Sequence, residues 1–337
     1  MTTLQVGTAS GGESNRTQNV FVATRMEPTT SPEIAIADSV ATNPLLDPTI
    51  LWTRGEHCRE LAGILSPTAN HVEGDLTQAC IDARADLLVT ARASAFRLIS
   101  TAVPHGFDRD SKVPAVVGAV GTGPHTPLVA SLTGLIAVGL GTDAVLLTVS
   151  RSDAEDEHAV ATLDSLDPLA PGAGTKVVRA ETAAGLIDSL PADALLVLGA
   201  PGGSWWQRQF FGPGRRLIHR APAGSVVAKA APRRCFQAMD DITPLGRHMR
   251  SRDALAVMTH PAAAVADAGI LIGIVRRSTL EQTPTGTVGG LMEPVASVMA
   301  DDPIDAATDL VHFMERSPIP VVDPQGRLLG GFLGAGA

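Results

Sequence analysis

The sequence has few cysteines, and its basic residues are outnumbered by acidic ones, 26 to 35. Its three cysteines, Cys58, Cys80 and Cys235, are far apart and form no Cys-x-x-Cys pair, so they indicate neither a disulfide framework nor a zinc site. The formal net charge of −9 argues against a general affinity for nucleic acid or anionic membranes. The first residues lack a basic segment followed by an apolar one. We therefore expect a cytoplasmic protein in a reducing compartment.

Motifs of common catalytic and metal sites are also missing from the sequence. Gly203-Ser204-Trp205 lacks the second glycine of a nucleophile elbow, and there is neither a Lys-Ser/Thr P-loop nor a His-Glu-x-x-His segment. The nine histidines show no metal-ligand spacing. Because no nucleophile is paired with a base, we expect a protein that is not an enzyme and that holds no metal.

Apolar residues are plentiful, at 45% of 337 residues, which is enough for two or three domains. The most apolar stretch runs from residue 114 to 149, with Asp143 as its only formal charge. Gly134, Gly139, Gly141 and the Thr142-Asp143 pair interrupt it, whereas a membrane-spanning helix needs about 20 apolar residues. A buried helix and a buried strand of a parallel sheet fit this stretch better.

Strand and helix signals alternate along the first two thirds of the chain. After a polar tail at residues 1–18, the first series has predicted strands at 19–24, 49–53 and 86–91, and helices at 32–41, 56–65 and 76–85. The second series has strands at 115–120, 144–150, 176–180, 195–198 and 225–228, and helices at 127–140 and 181–190, with an acidic loop or helix at 153–166. This alternation predicts α/β architecture with doubly wound parallel sheets covered by helices.

A glycine-rich loop follows the predicted strand at residues 195–198. Its glycines are Gly199, Gly202, Gly203, Gly212 and Gly214, and its basic residues are Arg208, Arg215 and Arg216. Such glycines let main-chain N–H groups approach an anion, and the N-terminus of a following helix adds a positive dipole end. Both a phosphate site and a tight strand-to-helix turn fit this pattern.

At this loop the chain resembles the universal stress protein family, whose ATP-binding members carry Gly-2x-Gly-9x-Gly-(Ser/Thr). The spacing matches at Gly199, Gly202 and Gly212, while Pro213 stands where the family has its hydroxyl residue. The resemblance implies two universal-stress-like (Rossmann-like) domains at residues 19–113 and 114–231. It also implies a phosphate site in the second domain, formed by the loop glycines together with Arg215.

A second glycine turn, Gly121-Thr122-Gly123, follows the predicted strand at residues 115–120. In the universal stress family an Asp commonly follows the first strand and holds the adenine; here Gly121 takes that place, and we include it among the nucleotide-binding residues. Arg25 takes the same place in the first series, which also lacks glycines after its strand at 86–91. We therefore expect the first series not to bind nucleotide.

Four of the eleven aromatic residues are crowded into the glycine loop: Trp205, Trp206, Phe210 and Phe211. Two interpretations remain open for them. They either seal a sheet edge or domain junction, or form a contact patch for a partner protein or a membrane-embedded transporter.

An internal repeat appears in the last hundred residues. Met258–Asp267 and Met314–Asp323 have the same Met-to-Asp spacing and lie 56 residues apart, and each is followed by a turn and an apolar pair ending in glycine. Repetition at this period indicates two copies of one helix, strand, turn, strand unit.

With Leu291–Pro294 before the second copy, these residues resemble a pair of cystathionine-β-synthase-type (CBS) domains over residues 232–337. The resemblance implies an α+β regulatory module that dimerises and binds adenosine-type ligands in clefts between its copies. In the first copy Arg276 and Thr279 fall near the positions where family members hold the ligand. The second copy has no acidic residue after its last predicted strand, so a dimerisation scaffold with an altered cleft also fits.

Together these features predict a sensor or adaptor that binds ATP, AMP or cyclic di-AMP and controls a partner protein. We expect a homodimer formed through the CBS pair and the universal-stress-like domains. The competing hypothesis is a structural or interaction subunit whose nucleotide sites have decayed. Slow ATP hydrolysis comes third.

Overall fold

The computed structural model describes residues 21–22, 45, 47–92, 96–107, 112–150, 152–179, 189–200, 221, 223–311, 314 and 317–333. The contacts between residues divide the chain into two compact units. The first, here called the sheet unit, comprises described residues of Arg25–Ala238 and Ala300–Ile304. The second, called the repeat unit, comprises Phe21–Val22 with described residues of Met239–Met299 and Asp305–Ala337.

Sixteen strands lie within the described residues: β1 (Phe21–Val22), β2 (Ile50–Trp52), β3 (Asn70–His71), β4 (Leu87–Val89), β5 (Ser100–His105), β6 (Ala115–Ala119), β7 (Asp143–Ser150), β8 (Gly174–Arg179), β9 (Leu195–Gly199), β10 (Ser225–Lys229), β11 (Leu245–Gly246), β12 (Ala262–Asp267), β13 (Ile270–Arg276), β14 (Ala296–Met299), β15 (Ile319–Val322) and β16 (Leu328–Phe332). The α-helices described are α1 (Glu56–Leu65), α2 (Leu76–Asp82), α3 (Thr126–Leu140), α4 (Asp153–Ser165), α5 (Cys235–Ala238), α6 (Ser251–Val257), α7 (Arg277–Gln282), α8 (Val288–Leu291) and α9 (Ile304–Val311).

The sheet unit is built on one large sheet of nine described strands, in the order β3-β2-β4-β5-β10-β9-β6-β7-β8. Every neighbouring pair is parallel except β5 and β10, which pair antiparallel, with Val103 opposite Val227. Read outward from this junction, one side runs β5-β4-β2-β3 and the other β10-β9-β6-β7-β8. The two sides thus follow a similar plan, but β4 pairs directly with β2 where β6 separates β9 from β7.

Central strands of this sheet are apolar on both faces, as expected when helices cover a parallel sheet. In β9, Leu195 and Val197 join one buried cluster, while Leu196 and Leu198 join another on the opposite side. The first cluster contains residues from both predicted domains, for example Leu61 of α1 and Leu132 of α3. The boundary predicted at residues 113 and 114 therefore does not divide the buried core.

Helix α3 accounts for the most apolar stretch of the chain. It is buried along most of its length and ends at Gly141, whose φ of 65° lies in the left-handed region that glycine adopts readily. Among the described helices, none combines the length and the apolar character that a membrane crossing requires.

Most predicted elements match the structure, and α1 has the predicted bounds. Strand β5, which was not predicted, contains Pro104, and a proline inside a run is a signal against a strand. The strand predicted at residues 19–24 is present as Phe21–Val22, but its placement as the first strand of the first α/β domain is wrong. It pairs in parallel with β14 in the repeat unit. The helix predicted at 32–41 lies outside the described residues, as does most of the one at 181–190.

The repeat unit contains two copies of one topology. In the first copy β11 pairs parallel with β12 and β12 antiparallel with β13; in the second, β14 pairs parallel with β15 and β15 antiparallel with β16. Helix α6 or α9 connects the parallel strands. A register shift occurs between Val265 and Ala266 and again between Val321 and Val322, at positions 56 residues apart. The repeat predicted from the sequence is thus a structural repeat.

The turn after β15 is closed by Asp323, the last residue of the repeated Met-to-Asp segment. Its carboxylate is buried and accepts hydrogen bonds from the N–H groups of Gln325 and Arg327, at 2.9 and 2.8 Å, and from Nε of Arg327 at 2.6 Å. Burial alone would raise the pKa of Asp323, but these hydrogen bonds outweigh it and hold the pKa below its ordinary value.

Each copy contacts the segment that precedes the other copy. Ile274 and Glu293 exchange two main-chain hydrogen bonds, of 2.9 and 2.8 Å, and Gly331 and Asp240 exchange two of 2.9 Å. Glycine is required beside each bridge, since a Cβ on Gly273 would lie 2.7 Å from the Glu293 carbonyl oxygen. A Cβ on Gly330 would lie 2.6 Å from the Asp240 carbonyl oxygen. Met292 and Met239 precede the two acidic residues, so the Met-acid pair is itself repeated.

We predict that Gly273→Ala destabilises the repeat unit by about 2 kcal/mol, because its Cβ meets main-chain atoms that cannot yield without breaking the bridge. Gly246→Ala is the matched control, since no atom of the described residues lies within 4 Å of a Cβ there. Amide hydrogen exchange across residues 262–276 measures the effect on this unit. Equal protection in the two variants would contradict the assignment.

Candidate functional site

The carboxyl ends of β6, β9 and β10 lie side by side at one edge of the nine-stranded sheet. In open α/β sheets, ligands bind in the crevice outside the carboxyl ends of the strands, where the strand order reverses. On this side of the sheet the order is β10-β9-β6-β7-β8, so that point falls between β6 and β9. Both predicted glycine turns begin there, at Gly121 and Gly199.

The turn after β6 is held by Thr126, the first residue of α3. Its Oγ1 donates a hydrogen bond to the Gly121 carbonyl oxygen at 2.7 Å and accepts one from the Gly121 N–H at 3.4 Å. The Thr126 N–H donates to the carbonyl oxygen of Gly123 at 3.1 Å. No described atom lies within 4 Å of the position of a Cβ on Gly121. The turn is therefore hydrogen-bonded to the helix, and no described residue fills the space beside Gly121.

His125 is the central side chain of this edge. Its Nδ1 accepts a hydrogen bond from the Ala230 N–H at 3.1 Å, just after β10. A Cβ on Gly199 would lie 3.0 Å from the Cβ of His125, so only glycine fits at the end of β9 without displacing the histidine. The ends of β9 and β10 thus meet at His125, which lies in the turn between β6 and α3.

The hydrogen bond to Nδ1 assigns the ring proton to Nε2, since an N–H donor needs an acceptor with a free lone pair. Burial lowers the pKa of His125 below its ordinary value of 6.5, and the nearby Lys229 ammonium lowers it further. Lys229 itself donates to the carbonyl oxygen of Phe96 at 3.2 Å. At neutral pH the site therefore holds a neutral imidazole beside a positive charge.

Gly199 was predicted to approach a nucleotide phosphate, and the structure gives its missing side chain another role, which is to admit His125. Gly121 is at the same edge, and its two main-chain polar groups are both engaged with Thr126. The remaining loop predictions lie outside the described residues: Gly202, Gly203, Gly212, Gly214, Arg215, and the aromatic residues Trp205, Trp206, Phe210 and Phe211.

The other predicted ligand residues are in the repeat unit, at the end of β13. Arg276 is the last residue of that strand, and its Nε lies 2.5 Å from Oε1 of Glu293. Thr279 is half-buried in α7, three residues further on. Sequence reasoning placed Arg276 next to a ligand but missed the internal carboxylate that it contacts.

A polar cluster that the sequence did not reveal lies at the amino end of β4. Asp86 accepts a hydrogen bond from the Thr49 N–H at 3.0 Å, and Gln237 donates to the Ala85 carbonyl oxygen at 3.0 Å. Burial raises the pKa of Asp86 above its ordinary value, although Thr49, Arg233 and Gln237 oppose the shift. The cluster anchors α5 to the sheet, and its side chains satisfy main-chain groups, which indicates a structural role.

The cysteines are buried and free. Burial raises the pKa of Cys80 and of Cys235 to about 12, so both thiols stay protonated at neutral pH. Among the described residues, no group of three or more His, Cys, Asp or Glu side chains is placed to hold a metal ion.

Comparisons with known proteins give similarity only at the level of solved structures. No protein-family model matches the chain, and no curated protein matches it. The soluble part of a magnesium transporter is 20% identical over 30% of this chain, with a TM-score of 0.28. This chain spans 44% of that fragment, which is less than half of its length.

Two CBS-pair structures match to a similar extent. CBSX2 in complex with AMP is 22% identical, covers 30% of this chain and 89% of its own, and has a TM-score of 0.27. A CBS domain pair/ACT domain protein from Thermotoga maritima is 22% identical, covers 30% of this chain and 88% of its own, and also has a TM-score of 0.27. At these scores the likeness establishes neither a ligand nor a partner for this chain.

We predict that His125 makes the sheet unit sensitive to acid. Because the pKa of His125 is lower in the folded state, its contribution to stability is complete above pH 6.5 and is lost as the pH falls through the folded-state pKa. His125→Asn keeps an acceptor near the Ala230 N–H but does not titrate, so its unfolding free energy should fall less between pH 7.5 and 5. Chemical denaturation at each pH measures the difference.

The control is His158→Asn, at an exposed histidine on α4. It should retain the full pH dependence of the unmodified protein. If His125→Asn loses as much stability in acid as the unmodified protein, the imidazole does not carry the effect.

Proposed function

We propose that this chain is a non-enzymatic regulatory protein that binds an adenine nucleotide and controls a partner protein. The observation that carries the proposal is the repeat unit: two copies of one topology, with the same register shift and with reciprocal main-chain bridges. That architecture agrees with the resemblance of residues 232–337 to a CBS pair. The ligand class is then an adenosine phosphate such as AMP, ATP or cyclic di-AMP, with Arg276 and Thr279 beside it.

A second nucleotide site is proposed at the carboxyl edge of the sheet unit. Its support is the strand order β10-β9-β6-β7-β8, which puts Gly121 and Gly199 at the point where such sheets bind ligands. This order also supports the interpretation of residues 114–231 as a universal-stress-like domain.

The competing function, a structural or interaction subunit with decayed nucleotide sites, has its own support. His125 packs where Gly199 would have approached a phosphate, and Arg276 is paired with Glu293. If neither side chain moves aside for a ligand, homodimerisation and partner binding remain as the function. Trp205, Trp206, Phe210 and Phe211 are the proposed contact patch for a protein or transporter partner.

Thermal-shift measurements with ATP, AMP and cyclic di-AMP distinguish the two functions. A ligand that binds only the folded protein at one hundred times its Kd stabilises it by about 2.7 kcal/mol and must raise the unfolding midpoint. We expect at least one of the three to do so. An unchanged midpoint with all three at millimolar concentration would leave the interaction subunit as the better account.

Two substitutions then locate the ligand. Loss of the shift in Gly202→Trp places it in the sheet unit, whereas loss in Arg276→Ala places it in the repeat unit.

The partner patch has a separate test. Trp205→Ala combined with Trp206→Ala should abolish co-purification of a partner with the tagged protein while the unfolding midpoint stays the same. Undiminished co-purification would assign these aromatic residues to internal packing instead.

A further inference from the structure

The ion pair between Arg276 and Glu293 joins a predicted ligand residue to a carboxylate of the same chain. Nε of Arg276 lies 2.5 Å from Oε1 of Glu293, which is the geometry of a direct charge-assisted hydrogen bond. The two side chains are 31% and 45% exposed. Solvent-exposed ion pairs contribute little to stability. Another anion can therefore replace this carboxylate on Arg276 at a small cost in free energy.

The main chain fixes the position of Glu293 beside β13. Its N–H and carbonyl oxygen are both bonded to Ile274, two residues before Arg276. Gly273 lacks a Cβ, so the Glu293 carbonyl can approach this closely. The fold of the repeat unit thus places Glu293 beside Arg276, and the side chain of Glu293 is partly exposed to solvent.

The second copy has the same backbone arrangement, without this ion pair among the residues that the structure describes. Asp240 exchanges two hydrogen bonds with Gly331 as Glu293 does with Ile274. The register of the hairpins makes Phe332 the counterpart of Val275, so Leu333 follows where Arg276 follows in the first copy. A guanidinium facing a carboxylate at this point is therefore a feature of the first copy.

We propose that Glu293 is an internal competitor for Arg276 and sets the ligand requirement of the first copy. To contact Arg276, a ligand must carry a phosphate group that replaces the Glu293 carboxylate on the guanidinium. A nucleoside without phosphate does not displace this carboxylate. This inference rests on the nucleotide-binding function proposed above. A phosphate dianion binds a guanidinium in the same bidentate geometry as a carboxylate but with more charge, so it wins the exchange.

Isothermal titration calorimetry with AMP and with adenosine tests the proposal on the full-length protein and three variants. Glu293→Gln removes the competing charge and should tighten AMP binding by about two- to fivefold, the range expected for breaking an exposed ion pair. It should leave adenosine binding unchanged. Arg276→Gln should weaken AMP binding at least about tenfold, as expected for the loss of a charge-assisted hydrogen bond, and should also leave adenosine binding unchanged.

Asp240→Asn is the matched control, because Asp240 occupies the equivalent place in the second copy, where Leu333 stands in the position of Arg276. It should bind AMP as tightly as the unmodified protein. The tightening of AMP binding in Glu293→Gln should also be smaller in about 0.5 M salt, since added ions screen the solvent-exposed charge of Glu293 in the unmodified protein. Unfolding midpoints of all variants, measured without ligand, establish that each is folded.

The outcomes separate this inference from the function on which it rests. If AMP binds the unmodified protein and Glu293→Gln equally well, or if Glu293→Gln tightens adenosine as much as AMP, the competitor role is wrong and nucleotide binding stands. If neither AMP nor adenosine binds the unmodified protein or Glu293→Gln, both proposals are overturned.

Discussion

The antiparallel pairing of β5 with β10 is the contact on which the sheet unit depends. Without it, two short parallel sheets would each expose an edge of unpaired main-chain groups, because β5 and β10 end their respective sides. The pairing instead gives one continuous sheet, and the buried cluster that contains Leu61 and Leu132 extends across it. It also reverses the direction of one side relative to the other, so the strands of the two sides end at opposite edges.

The same pairing determines what surrounds the candidate site. The carboxyl ends of β9 and β10 lie next to the amino end of β5, which is why Lys229 reaches the carbonyl oxygen of Phe96. Ala231 likewise donates to Oγ of Ser100. The environment of His125 therefore combines groups from both predicted α/β segments.

Periodicity and turn chemistry predicted most of the helices and strands, as the agreement of α1 illustrates. Prediction was poorer where pairing between distant residues decides the outcome. Pro104 concealed β5, since its pairing with Val226 is a long-range contact that local sequence does not encode. Phe21–Val22 has the composition of a strand, but composition does not specify which sheet it joins. For the same reason the glycine spacing identified Gly199 without identifying His125, and the repeat identified Arg276 without Glu293.

The reciprocal main-chain bridges of the repeat unit make each copy depend on the other for its stability. The segment before the first copy forms main-chain hydrogen bonds with the last strand of the second copy. The segment before the second copy does the same with the last strand of the first. A single copy removed from the chain would thus lose the main-chain hydrogen bonds that the segment before the other copy provides.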